Sequence, residues 1–179
     1  CPESRGLGDV YKRQIYSQDS SILVNSEETI GLNNSALRKI RGNKVSMIFQ
    51  EPMTSLNPFH KVGNQIMESV MSHKKISKHD ARLRAMELMQ LVEIPDLERR
   101  FDAFPHELSG GQRQRIMIAM ALINEPDLLI ADEPTTARDV TIQAQILDLM
   151  NRIKEQLGMA ILFITHDLGL VEKFSDTVS

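Results

Sequence analysis

An α/β fold, with a parallel-sheet core and an inserted helical subdomain, is predicted by three features of this sequence. Three short runs, Lys44–Phe49, Leu128–Ala131 and Ala160–Ile164, are mostly or wholly apolar without the alternation of a sheet wetted on one face, so they read as buried parallel strands. The last two flank an amphipathic helical stretch, Val140–Leu157, closed by Gly158, and strand, helix, strand makes a βαβ unit. Between Val62 and Ile94 two helical patterns follow one another with no strand between them, which marks an insertion of helices.

The remaining elements follow in order. Cys1–Gln14 mixes Pro, Gly and charges with no apolar period and reads as a separate, foreign or misread terminus, so the domain proper is expected over 15–179. Ile15–Gly42 is weakly patterned, its clearest element a short helix at Ser35–Ile40 closed by Gly42. The first apolar strand ends at Gln50, and Glu51–Pro58 is rich in turn residues. One helical pattern runs through Ile66, Val70 and Met71, the other through Leu83, Met86, Leu88, Met89 and Leu91, with Pro95 as the stop. Gly110–Asn124 is a third helix, apolar around most of its circumference from Ile116 onward, and it stops near Pro126. These helices place the helical subdomain at about 51–125.

Composition narrows the function classes. With 179 residues, 41% hydrophobic and 25% charged, the chain suits one globular domain. Its 21 basic and 24 acidic residues sum to −3, which gives no long-range pull toward a polyanion, so no nucleic-acid partner is expected. Cys1 is the only cysteine, so no internal disulfide forms and the cytoplasm is the simplest compartment. The longest apolar run, Ile116–Ile123, has about eight residues where a bilayer crossing needs about twenty, so any membrane link is expected through a partner. The ten methionines read as core filler rather than a binding surface.

The chemistry gathers at strand ends. Each apolar strand hands over to polar groups at its carboxyl end, namely Gln50, the pair Asp132 and Glu133, and the pair His166 and Asp167. In open parallel sheets ligands sit along that edge. Singly, each residue has a structural reading, as a turn residue, loop acids or a capping histidine. Together an acceptor amide, two carboxylates and an imidazole suit metal-assisted phosphoryl hydrolysis. Asp132 is the candidate Mg²⁺ ligand with Gln50 beside it, since this hard cation takes oxygen ligands. Glu133 is the candidate general base for an attacking water, and His166 the candidate sensor of a γ-phosphate. A second stretch, Leu108-Ser-Gly-Gly-Gln112, opens the apolar helix, and its bare glycines allow a phosphate to approach backbone N–H groups at the positive helix end. Ser109 and Gln112 also form a capping box, which serves stability alone; it accounts for Ser and Gln but not for Gly110 and Gly111.

Read in order, Gln50, Leu108–Gln112, Leu128-Leu-Ile-Ala-Asp-Glu133, Thr136-Ala-Arg-Asp139 and His166 resemble the Q-loop, signature, Walker B, D-loop and H-loop of the ATP-binding cassette family. Met47-Ile-Phe-Gln-Glu-Pro-Met-Thr-Ser-Leu-Asn-Pro58 further resembles the subfamily serving dipeptide, oligopeptide and nickel importers. The resemblance covers about Asn34 to Ser179 and implies a P-loop NTPase (RecA-like) core with a helical subdomain, and an ATPase that uses ATP and Mg²⁺. It implies a head-to-tail dimer with a second cassette, homo- or heteromeric, in which Ser109, Gly110, Gly111 and Gln112 face the γ-phosphate held by the partner, with Asp139 at the same nucleotide. It also implies two transmembrane permease subunits, an indirect link to a solute-binding protein, and a place on the inner face of the cell membrane.

Two departures qualify the resemblance. No Gly-x-x-x-x-Gly-Lys-[Ser/Thr] occurs in the chain, so the phosphate-binding loop is missing, and neither Gly6-Leu-Gly8 nor Gly42-Asn-Lys44 replaces it. Arg138 stands where the family carries a small or apolar residue. The expectation is a cassette truncated at both ends, inactive alone. Two alternatives share the motifs: a soluble cassette of DNA repair or translation, and a non-catalytic interaction module. Val62–Asp102 shows no sustained heptads of the kind that divide repair cassettes, and retention of Asp132, Glu133 and His166 stands against loss of catalysis.

Overall fold

The computed structural model describes residues 20–49, 56–134 and 140–165, and the side chains of 140–142 are left aside. The expectations for Cys1–Gln14, Gln50, Glu51–Ser55, Thr136–Asp139 and His166 fall outside the described residues. The chain divides into two units, 1–37 and 38–179.

In the first unit, β1 (Leu23–Val24) pairs antiparallel with β2 (Glu27–Glu28). The two linking residues, Asn25 at φ 51° and Ser26 at φ 66°, are both left-handed, as a two-residue hairpin with the native twist requires. The Glu28 carboxylate accepts from the Ser21 hydroxyl at 2.5 Å, the Ile30 amide at 2.9 Å and the Ile22 amide at 3.1 Å. These bonds favour the ionised form and bring its pKa down to about 2. Helix α1 (Asn34–Ile40), whose last three residues are counted with the second unit, starts where the Asn33 side chain accepts from the Ala36 amide at 2.9 Å.

The second unit is built on a parallel sheet of β3 (Val45–Ile48), β4 (Leu128–Asp132) and β5 (Ala160–Ile164), in the order β3-β4-β5. The register pairs Ile48 with Ala131 and Asp132 with Ile164, so all three strands finish at one edge. Between β4 and β5 runs α6 (Val140–Leu157), which buries Ile146, Leu149, Met150 and Ile153, the spacing of a single helix face. The expected βαβ unit is present at its expected place.

Between β3 and β4 the chain forms α2 (Val62–Met71), α3 (Lys78–Leu91), the short α4 (Leu97–Phe101), a 3₁₀ turn at Pro105–Glu107, and α5 (Gly110–Leu122). Their shared core holds Val62, Ile66, Val70, Leu88, Met89 and Ile116. The sequence did not announce α4 or the 3₁₀ turn. It also misplaced the buried face of α3: Leu83, read as an inward residue, is 51% exposed, while Ala81, Ala85, Leu88 and Met89 are buried. Leu83 stands two residues, about 200°, around the helix from Ala81, so it points away from the stripe that the alanines occupy. Met71, assigned to the apolar pattern of α2, is 39% exposed at that helix's last position. Pro95 is not the residue at which α3 stops; the helix ends at Leu91 and the chain turns away through Glu93 at φ 58°. The methionine reading holds for most described positions: Met89, Met117, Met150 and Met159 are buried and Met67, Met86 and Met120 pack half-buried against the core, while Met47 and Met71 are exposed.

At Gly63 the helical layer leaves no room for a side chain. A Cβ there would lie 2.5 Å from the ring of Phe101, which is itself only 2% exposed and carries the Arg82 guanidinium 4.1 Å above its centroid. Gly63→Ala should therefore destabilise the fold by about 1–3 kcal/mol despite the better helix propensity of alanine. Urea unfolding of the two proteins measures this, and equal midpoints would refute the packing argument.

Candidate functional site

The carboxyl edge of the sheet brings together Asp132 and Glu133, the candidate metal ligand and candidate base. Asp132 ends β4, the middle strand, directly after the fully buried Ala131, and its own position is half-buried. Glu133, also half-buried, leaves the strand with φ 44°, yet its amide still donates to the Ile164 carbonyl at 2.9 Å, extending the ladder one residue past β4. A left-handed non-glycine residue costs about 1–3 kcal/mol and persists where its surroundings impose it, a pattern found at working sites. The strands that precede Gln50 and His166 in the sequence, β3 and β5, end on the same edge, while those two residues themselves lie outside the description.

Among the described residues no group of three or more His, Cys, Asp or Glu stands ready to hold a metal ion. The side chains of Asp132 and Glu133 at the end of β4 carry carboxylate oxygens, the ligand type of which Mg²⁺ takes one or two before completing its shell with water and phosphate oxygens.

Ser109 and Gln112 cap α5 reciprocally: the Gln112 amide donates to Ser109 Oγ at 3.2 Å, and the Ser109 amide donates to Gln112 Oε1 at 3.1 Å. The structural reading of these two side chains is thus borne out. Gly110 is not needed for the cap, and a Cβ placed on it would meet nothing within 4 Å. The helix therefore opens with a bare, accessible backbone, where amides left unpaired by the helix favour an anion.

One residue that the motifs did not single out links the two regions. Gln114, one turn beyond Gly110, is 3% exposed, and its Nε2 donates to the carbonyl of Pro134, next to Glu133. Its signal in the sequence was a polar residue at the head of the inward line Gln114, Ile118, Leu122. The following Arg115 binds the Val92 carbonyl and the Glu93 carboxylate, each at 2.8 Å, and Arg152 of α6 reaches the other Glu93 oxygen at 2.6 Å. These guanidiniums, Arg115 foremost, hold the Glu93 carboxyl below the usual carboxylate range.

An open cleft of about 320 Å³ lies between β3 and the ends of α2 and α5, lined by Met47, Phe49, Ser72, His73, Met120 and Asn124 among others. Phe49 is 57% exposed at its rim. Asn124 closes the cleft's base by donating to the Gly42 carbonyl at 2.7 Å and the Ser69 carbonyl at 3.2 Å.

Residues 13–136 match the family described as ABC transporter. The chain is 59% identical over 157 residues to the peptidoglycan transport ATP-binding protein YejF of Agrobacterium fabrum, covering 88% of this chain and 29% of that protein. It is 53% identical over 164 residues to the oligopeptide transport ATP-binding protein OppD of Bacillus subtilis, covering 92% of this chain and 46% of that one. The chain therefore spans about half or less of the length of these curated relatives. Among solved structures, a bacterial ABC transporter cassette in dimeric form superposes with a TM-score of 0.74 at 29% identity, over 87% of this chain and 66% of that one. A dimeric cassette in a post-hydrolysis state bound to ADP and Pi gives 0.71 at 30% identity, over 82% and 62%.

Proposed function

This chain belongs to the ABC transporter family, and from that premise we propose that it is part of the ATP-binding and ATP-hydrolysing subunit of an importer for peptides or a related solute. The observation that carries the reading is the single sheet edge on which Asp132 and Glu133 stand between the ends of two further parallel strands. The relative named for oligopeptide transport supports the solute class.

In this reading 1–14 lies outside the cassette, about 51–125 acts as its helical subdomain, and the subunit sits on the inner face of the cell membrane. In the same reading the passage belongs to two permease subunits, fed indirectly by a solute-binding protein; no helix among the described residues is long and apolar enough to cross a membrane. The cleft beside Phe49, apolar at Met47 and Met120, suits a cytoplasmic permease helix.

The chemistry is divided among this chain's residues. Asp132, with Gln50, would hold Mg²⁺, which neutralises charge on the phosphates of ATP. Glu133 orients the attacking water and takes its proton. His166 donates to a γ-phosphate oxygen and so distinguishes triphosphate from diphosphate. Ser109, Gly110, Gly111 and Gln112 meet the γ-phosphate bound in the second cassette, with Asp139 at the same interface. Because each nucleotide is then shared, ATP favours the closed dimer and its hydrolysis favours opening, which drives the permeases between two states.

The test is dimerisation. In a full-length subunit carrying this chain, Ser109→Arg places a bulky cation at the bare helix start, and ATP-dependent dimers should be lost in sedimentation or scattering while the fold survives. Dimers that persist with ATP would remove the shared-nucleotide role.

A further inference from the structure

Gln114 is buried on a helix whose neighbouring inward residues, Ile116, Ile118 and Leu122, are apolar. Burying an amide there is costly unless it is hydrogen-bonded. Its donor is spent on the carbonyl of Pro134, a buried residue with no N–H of its own. Pro134 directly follows Glu133, whose φ of 44° is unfavourable for a residue with a side chain. Among the bonds that hold that conformation are Glu133 N–H to the Ile164 carbonyl at 2.9 Å on the strand side and Gln114 to the Pro134 carbonyl on the helix side. The register of α5 is fixed in turn by the reciprocal Ser109–Gln112 cap at its start and by Arg115 on Val92 and Glu93.

We propose that Gln114 is a positioning residue for Glu133: through the Pro134 carbonyl it sets the direction of the Glu133 carboxylate and ties it to the helix that begins at Ser109. The proposal rests on the reading of Glu133 as the base. It has a consequence for a dimer that shares its nucleotides. The start of α5 meets the phosphate of one site, while Glu133 of the same chain serves the other, so Gln114 connects the two sites within one turn of helix.

Gln114→Met keeps the length and bulk and removes the donor. In a full-length subunit carrying this chain, its kcat should fall about tenfold to a hundredfold with the KM for ATP nearly unchanged, as expected when a positioning bond rather than substrate binding is lost. Hydrogen exchange at the Glu133 amide should quicken while the amides of α5 stay protected. Gln114→Glu supplies the rescue: protonated, the acid still donates to Pro134; ionised, it repels that carbonyl. Burial raises its pKa, so its turnover should approach the parental rate at mildly acidic pH and fall as pH rises, a profile absent from Gln114→Met.

Glu133→Gln in the same background separates the two claims. Loss of turnover in Glu133→Gln with parental kcat in Gln114→Met overturns the positioning role alone. Parental turnover in Glu133→Gln overturns the reading of the base, and exchange at the Glu133 amide then still decides whether Gln114 clamps it. Should Gln114→Met fail to fold, Gln114→Glu read at two pH values decides, and a turnover ratio to parent independent of pH overturns the proposal.

Discussion

Replacing Glu133 with Gln in a full-length subunit carrying this chain should leave ATP binding intact and slow turnover by about 10²–10⁴-fold. The substitution keeps the size of the side chain and leaves the backbone bond from residue 133 to Ile164 in place, so the geometry of the strand end survives. Only the capacity to accept a proton is lost. Since the amide cannot take the proton of the attacking water, the ATP-bound closed dimer should accumulate. Single-turnover phosphate release together with equilibrium ATP binding separates the two effects. Unchanged release would take the general-base role away from Glu133.

The second large effect concerns the chain by itself. It should bind ATP too weakly to detect at micromolar concentration and should not hydrolyse it. In P-loop ATPases the phosphates are held chiefly by successive backbone N–H groups, a loop lysine and a Mg²⁺ ion anchored by a loop hydroxyl. No Gly-x-x-x-x-Gly-Lys-[Ser/Thr] occurs in these 179 residues. Charge-assisted hydrogen bonds contribute about 1.5–3 kcal/mol each, and about 1.4 kcal/mol is a tenfold change in Kd, so losing several costs powers of ten in affinity. As proposed, Asp132 would add one metal ligand to such a cradle without replacing it. Calorimetry and a phosphate-release assay on the purified chain measure this, with Glu133→Gln exposing contaminating activity. Micromolar, Mg²⁺-dependent binding with turnover abolished in that variant would refute the claim.

The legible parts of the fold were those whose apolar runs are unbroken in the sequence. Leu128–Asp132 is apolar up to its last residue because the middle strand is at least half-covered at every position, Ala160–Ile164 is as apolar although Leu162 and Ile164 on one face are exposed, and the Val140–Leu157 helix shows its buried face as Ile146, Leu149, Met150 and Ile153. The hairpin at Leu23–Glu28 was illegible for the opposite reason: each strand has two residues, its exposed positions carry no alternation, and its left-handed pair is Asn25 and Ser26 without glycine. The face of α3 was misread because Ala81 and Ala85, small residues under close helix contact, do the packing that Leu83 was expected to do. At the site, Asp132 and Glu133 were legible as acids at the end of an apolar strand. Gln114 was passed over, since it stands between Arg113 and Arg115 and in sequence looks like part of a solvated face; its one signal, the four-residue spacing to Ile118 and Leu122, gains meaning only with its burial.

The outer strand of the sheet has a bearing on how the polypeptide behaves in bulk. Among the described residues β5 is paired on one side only, and Leu162 and Ile164 are 51% and 46% exposed. A flat, apolar strand with an open row of N–H and C=O groups is a template on which another extended chain can add. Exposed Leu162 and Ile164 favour self-association of the isolated polypeptide as its concentration rises, and light scattering over a dilution series measures it.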